Sequence, residues 1–241
     1  MTRQGMAESR SQAENFIRLG KVTVNGRRIQ KPGYFVTPSS EIVLAAEEKY
    51  VSRAGLKLAS VAQLLNLSFK DTVVLDVGSS TGGFTDYALQ HGAQKVFAVD
   101  VGTDQLHPKL RADKRIELHE KTDIRQFIPS ETPDIIVIDV SFISLREILP
   151  YLANTIANQN TQIAAMVKPQ FEAGRHQVNK GVIKNDSVRR QILKDFEFWA
   201  KDLFMIVDKR DSDVAGAKGN QERFYLLTLN RNSTTSPGRI T

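Results

Sequence analysis

Seven charged residues occupy places where this chain can do chemistry: Lys57, Asp76, Asp100, Asp123, Asp139, Lys168 and Glu222. Asp100 closes the apolar run VFAV, Asp139 closes IIVI, and Lys168 closes IAAMV. If those runs are buried parallel strands, the charges stand at their carboxyl ends, where α/β sheets collect functional side chains. A lysine beside carboxylates at such an edge supports proton removal from a weakly acidic hydroxyl. The Lys168 ammonium steadies a developing alkoxide, or its amine accepts the proton when transiently neutral. Asp139 and Glu222 are expected to orient Lys168, and Lys57 to complete the set. The alternative is that each charge only marks where a strand meets water.

The elements that must position these groups begin at VVLDVGSSTGGFTDYALQHGAQKVFAVDVG, residues 73–102. The pattern predicts a buried strand, a glycine-rich turn, a helix from Thr85 to Gln90, and a second strand ending at Asp100. A carboxylate there can accept from two ribose hydroxyls. The turn reads D-x-G-x-x-x-G-G, which is not the G-x-G-x-x-G of a dinucleotide site, and no G-K-[ST] step follows to make a P-loop. A wide turn preceded by a carboxylate suits a ligand with a cationic centre and an amino-acid moiety, such as S-adenosylmethionine. The same glycines also fit a βαβ unit with no ligand.

Downstream, strands are expected at 135–140 and 163–167, helices at 145–156 and 187–203, the latter capped by Asp186, and closing strands at 205–207 and 224–229. A further helix, 52–65, carries Lys57. Regular alternation predicts an α/β fold, doubly wound on a mostly parallel sheet. Residues 46–51 read as a linker, 52–230 as the α/β domain, and the polar 231–241 as a disordered tail.

The chain has 241 residues, 41% hydrophobic and 25% charged, with a net charge of +6. It has no cysteine, which excludes disulfides, thiolate metal sites and a cysteine nucleophile. Four scattered histidines suggest no metal. No signal peptide and no spanning run is visible, so a cytoplasmic location and no membrane partner are expected. Within residues 1–45, seven bases face three acids, a net +4. A helix over 8–19 stops at Gly20, and Asn25-Gly26 makes a hairpin whose tip carries Arg27 and Arg28. Arg10, Arg18, Lys21, Arg27, Arg28 and Lys31 are the candidate phosphate contacts of this small helix-plus-hairpin unit.

AESRSQAENFIRLGKVTVNGRRIQKPG resembles the S4 RNA-binding domain. Members begin with an R-L-D-x-x-L segment where this chain has MTRQG, so the domain is N-terminally shortened. VSRAGLKL, LDVGSSTGGFTDYAL, VDVG, VIDVSFISL, VKPQFEAGR, KGVIKN and GNQERFYLL together are similar to the TlyA family, 2′-O-ribose methyltransferases of ribosomal RNA related to FtsJ. The resemblance implies a Rossmann-like class I methyltransferase fold with a seven-stranded sheet, S-adenosylmethionine as cofactor, and cytidine in small- or large-subunit rRNA as substrate. It places the family's K-D-K-E tetrad on Lys57, Asp139, Lys168 and Glu222. The cofactor positions fall on Gly78, Ser79, Gly82, Gly83, Phe84, Asp100, Asp123 and Asp139. Tyr50 stands where the family linker often has tryptophan.

Three readings follow: an rRNA 2′-O-methyltransferase, a non-catalytic RNA-binding or ribosome-assembly factor, and a membrane-active haemolysin, a label long attached to the family. A haemolysin needs an amphipathic or spanning element that the sequence does not show. A pure binding module has no use for two lysines and two carboxylates at a cofactor edge, so the enzyme is the expected function. The nucleotide, the subunit and the oligomeric state stay open.

Overall fold

The computed structural model describes residues 1–7, 9–18, 20–44, 49–174, 178, 181–216 and 219–230. The chain divides into two compact units, Met1–Lys49 and Tyr50–Thr241. Half of the expected linker (46–48) and all of the expected tail (231–241) lie outside the described residues.

In the first unit the MTRQG front, which was expected to be short, contains a single 3₁₀ turn, Thr2–Gln4. It is followed by α1 (Arg10–Arg18), β1 (Val22–Val24), β2 (Arg27–Ile29) and β3 (Ile42–Leu44). Gly20, at φ 69°, donates to Ile17 O at 2.9 Å while Lys21 N reaches Phe16 O at 2.9 Å. That pair of bonds is a Schellman cap, which needs a residue tolerant of left-handed backbone. Asn25 and Gly26 both have positive φ, the geometry of a type I′ turn, and they set the register Val24↔Arg27. Among the described residues the antiparallel order is β2-β1-β3, with Val22, Val24 and Ile29 buried.

The second unit opens with α2 (Arg53–Ala62) and β4 (Val73–Val77), followed by α3 (Gly83–Gln90), β5 (Lys95–Val99), α4 (Pro108–Arg111) and β6 (Ile116–His119). Then come β7 (Ile135–Ile138), α5 (Leu149–Tyr151), β8 (Gln162–Val167), α6 (Pro169–Glu172), α7 (Asp186–Ala200), β9 (Phe204–Asp211) and β10 (Arg223–Leu229). Among the described residues seven strands form one sheet, ordered β6-β5-β4-β7-β8-β10-β9. The first five are parallel; β10 and β9 join antiparallel. The order reverses between β4 and β7, so a crevice opens at their carboxyl ends, the usual ligand position in such sheets. One apolar layer packs Leu75, Ile136 and Phe196, and the opposite layer packs Leu58, Val74 and Tyr87.

Three elements differ from the sequence pattern. The expected helix 145–156 is broken into a 3₁₀ turn (Leu145–Glu147), α5, and a wide π turn closed by Ala157 N on Leu152 O at 2.8 Å. Pro150 explains the break, because its ring lacks an N–H and crowds the preceding turn. α7 is capped by Asn185, not Asp186: its Oδ1 accepts from Ser187 N at 2.8 Å and Val188 N at 3.3 Å. β9 runs on through charged residues to Asp211, which pairs across the sheet with Arg223 at 2.6 Å. No helix of the described residues is long and apolar enough to cross a membrane.

Candidate active site

The turn after β4 is pinned to β5 by its own backbone. Gly78 N and Ser79 N both donate to Val99 O, at 2.9 and 3.2 Å. A side chain on Gly78, at φ 81°, would sit 2.7 Å from Asp139 O, so glycine allows the carboxyl ends of β4 and β7 to touch. Asp100 Oδ2 accepts from Ser80 N at 2.8 Å and Oδ1 from Gly102 N at 2.7 Å, which fixes the carboxylate at the mouth of the crevice. A cleft of about 500 Å³ runs past Gly78, Asp100, Asp123, Asp139 and Phe142. A smaller pocket of about 140 Å³, lined by Asp76, Ser79, Gly83, Phe84 and Lys168, shares Gly78, Ser80, Asp139 and Ser141 with it. Asp123 caps the next turn through Arg125 N at 2.9 Å. Its hydrogen bonds to the Arg125 side chain hold the Asp123 carboxyl below the usual range.

Two glycines of the turn do other work. A Cβ on Gly82 would strike Leu110 Cδ1 and Leu106 Cδ1, and Gly82 lines neither cavity. Its φ of 90° and its packing against those leucines explain the residue type. Gly83 lines the small pocket, but a Cβ there would strike Ser52 Oγ, Ala54 Cβ and Gly55 N, so it also lets α2 and α3 meet closely.

Asp76 lies within β4, 1% exposed. Its Oδ2 accepts from Thr85 N at 3.0 Å and Thr85 Oγ1 at 2.7 Å, while Oδ1 is buried without a partner. Burial pushes its carboxyl from 3.8 up to about 7, helped by the charges of Asp139 and Asp100 and opposed by the Thr85 bonds. The folded chain therefore keeps this proton over a pH range in which the unfolded chain has released it. The stabilisation is full below the unfolded value, falls as pH rises, and is gone above about 7. Asp76→Asn removes this dependence. Its melting temperature relative to wild type is expected to rise between pH 4 and pH 8; parallel curves in thermal melts would show that Asp76 ionises normally.

The tetrad resolves into two ion pairs. Lys168 Nζ lies 2.6 Å from Asp139 Oδ1 and donates to Ser141 Oγ at 2.8 Å. Lys57 Nζ lies 2.6 Å from Glu222 Oε2. Glu222 thus serves Lys57 rather than Lys168, because α2 carries Lys57 to the start of β10. Both short contacts miss the angle of a directed hydrogen bond, so Asp139 Oδ1 and Glu222 Oε2 keep acceptor capacity. Lys57, Lys168 and Glu222 line a third cavity of about 380 Å³ with Ser141, Phe142, Gln170, Phe171 and Asn220. Lys168 opens onto both this cavity and the small pocket, and Ser141 lines all three spaces.

Sequence reasoning missed Ser141, Phe142, Gln170 and Glu172. Phe142 is 91% exposed and has φ 67°, a conformation that a bulky residue adopts only when the surrounding loop imposes it. Its ring meets Phe171 at 5.2 Å between centroids. An aromatic residue three positions after Asp139, at the end of a buried run, was the one available signal. The Glu172 side chain is buried and accepts from Ser144 Oγ at 2.6 Å and Leu145 N at 2.7 Å, tying the loop after β7 to α6. Burial pushes its carboxyl up.

In the first unit Arg10, Arg27, Arg28 and Lys31 are exposed and Lys21 is half-buried. Arg10 pairs with Glu14 at 3.2 Å. Arg28 Nε donates to Gly20 O at 2.6 Å, so this arginine also holds the hairpin to the end of α1. The Arg18 side chain lies outside those described.

Residues 50–230 match the FtsJ-like methyltransferase family, and residues 1–42 match the S4 domain. The chain belongs to the FtsJ-like methyltransferase family. A Bacillus subtilis relative provisionally named an rRNA methyltransferase, YqxC, is 41% identical over 236 residues, 95% of this chain and 83% of its own length. The 16S/23S rRNA (cytidine-2′-O)-methyltransferase TlyA of Mycobacterium tuberculosis is 36% identical over 234 residues, 94% of this chain and 87% of its own. A solved structure from Streptococcus thermophilus, provisionally named a hemolysin, aligns with TM-score 0.76 and 41% identity, covering 95% of this chain and 86% of that one.

Proposed function

We propose that the chain transfers the methyl group of S-adenosylmethionine to the 2′-hydroxyl of a cytidine in ribosomal RNA. The observation that carries this reading is Lys168, which stands on the wall between two cavities and is held there by Asp139 and Ser141. A reaction between two bound molecules needs such a shared group, and positioning of this kind supplies much of a rate enhancement.

The residues fit the cofactor. Asp100 stands fixed at the mouth of the 500 Å³ cleft, placed to take ribose hydroxyls. The unpartnered Asp76 Oδ1 and Ser79 Oγ border the small pocket and supply acceptors for a cationic amino-acid end. When bound, S-adenosylmethionine supplies an electrophilic methyl group on a sulfonium. The chain then has to deal with the nucleophile, a hydroxyl that must lose its proton as the new C–O bond forms. Lys168 Nζ, held by Asp139 and Ser141, faces the ribose and in its neutral amine form accepts the hydroxyl proton. Lys57, fixed by Glu222, lies across the same cavity and holds the ribose or its phosphate in place. Phe142 offers an exposed ring on which a nucleobase can stack.

The S4 unit supplies RNA affinity and no chemistry, through the exposed Arg27 at the hairpin tip and Lys31 in the next turn. The same chemistry sets this reading apart from a lytic one, since a cofactor cleft joined to a lysine-bearing cavity has no part in breaching a bilayer. Calorimetric titration of the full chain with S-adenosylmethionine tests the cofactor assignment. One saturable site per chain is expected; absence of binding would contradict it.

A further inference from the structure

Among the described residues, the cavity beside Lys168 contains one polar side chain with no task in the fold. Lys57 and Glu222 are paired, and Lys168 is held by Asp139 and Ser141. Asn220 is spent as well: its Oδ1 accepts from Ile183 N at 3.0 Å and its Nδ2 donates to Gly181 O at 2.8 Å. Gln170 differs. Its carboxamide oxygen is shielded from solvent, and no group among the described residues donates to it. Leaving a shielded acceptor unmade is costly, and such groups in native structures call for an explanation.

The backbone at Gln170 is held at both ends. It sits on the short α6, which follows the ion-paired Lys168 and whose last residue, Glu172, is bonded to Ser144 and Leu145. Its neighbour Phe171 packs on Phe142. A carboxamide carried on such a backbone and turned toward the cavity presents one acceptor and one donor side by side. Resting on the assignment of the target nucleotide to this cavity, we propose that Gln170 reads the Watson–Crick edge of the target base. Oε1 accepts from the cytosine N4 amino group and Nε2 donates to N3. The cavity, about 380 Å³, falls in the range of about 300–1,000 Å³ that encloses small organic ligands.

The test is a substrate cycle on the full chain. Gln170→Leu and wild type are compared on one rRNA fragment carrying either cytidine or an abasic ribose with an intact 2′-hydroxyl at the target position. A bidentate amide–base pair predicts that the variant loses about tenfold to a hundredfold in kcat/KM on the cytidine RNA. On the abasic RNA the two proteins should transfer methyl groups equally. Gln170→Asn, too short to reach but able to keep the polarity, should behave like the leucine variant. Equal losses on both RNAs would overturn the proposal by showing that Gln170 serves the ribose or the fold. Unchanged transfer to cytidine by both variants would overturn it by showing that no base contact is made. A wild-type protein inactive on both RNAs, with the cofactor bound, would instead overturn the assignment of the cavity itself, and this inference with it.

Discussion

Lys168→Ala is expected to lower single-turnover methyl transfer by a factor of about 10² to 10⁴ while S-adenosylmethionine and RNA still bind, since that is the usual loss when a positioned proton acceptor is removed. The sulfonium methyl is already reactive, so the barrier that the protein can lower lies at the ribose oxygen. Lys168 is the tetrad member that reaches both the small pocket and the 380 Å³ cavity. Lys168→Arg should not restore the rate. A guanidinium keeps its proton at any accessible pH, and its planar fork does not fit where a lysine nitrogen sits 2.6 Å from Asp139 and 2.8 Å from Ser141. The measurement is a rapid-quench time course with tritiated cofactor. Transfer within a few-fold of wild type by the alanine variant would remove Lys168 from the chemistry.

The second large effect concerns stability. Glu222 has a side chain only 3% exposed, and Lys57 only 11%, so neither charge is well hydrated. Glu222→Ala leaves the Lys57 ammonium without its partner, a change that typically costs about 3–5 kcal/mol. For a unit of this size that corresponds to a melting temperature lower by roughly 10 °C. Removing both charges, as Lys57→Met with Glu222→Met, should recover most of the stability, because a buried ion pair is often no better than an apolar pair of like volume. It should recover none of the activity, since the cavity then has no cation opposite Lys168. Thermal melts and methyl transfer on the same preparations separate the two contributions. A double variant as unstable as Glu222→Ala would mean that Glu222 acts on something other than Lys57. The carboxylate also packs close to Gly216, where a Cβ would fall 2.6 Å from Glu222 Oε1, so the start of β10 has little room to adjust.

The parts of this site that the sequence reveals are those set by local pattern. The buried runs ahead of Asp100, Asp139 and Lys168 are strands because each is short, apolar and β-branched or small, and their ends share one sheet edge because parallel strands alternate with helices. The hairpin at Asn25-Gly26 and the stop at Gly20 are equally local. What the pattern misses depends on partners distant in the chain. Nothing in GNQE indicates that Glu222 faces Lys57 rather than Lys168, since that follows from how α2 crosses β10. Gly82 looks like a ligand glycine until Leu106 and Leu110 are seen against it. DKRD in β9 reads as a loop because its charges find partners distant in the chain, with Arg223 of β10 and Arg189 of α7 both on Asp211. Phe142 reads as an ordinary apolar residue until its backbone proves left-handed and its ring exposed.

The central claim is ribose methylation of ribosomal RNA, and mapping the product tests it most directly. Ribosomal subunits from cells lacking the protein are incubated with the purified full chain and S-adenosylmethionine, and 2′-O-methyl groups are then located by nuclease digestion and mass spectrometry. A new 2′-O-methylcytidine at a defined position, absent when Lys168→Ala replaces the wild-type protein, is the predicted result. A methyl group found on a base or on a ribosomal protein, or no methyl group at all from protein shown to bind the cofactor, would contradict the account.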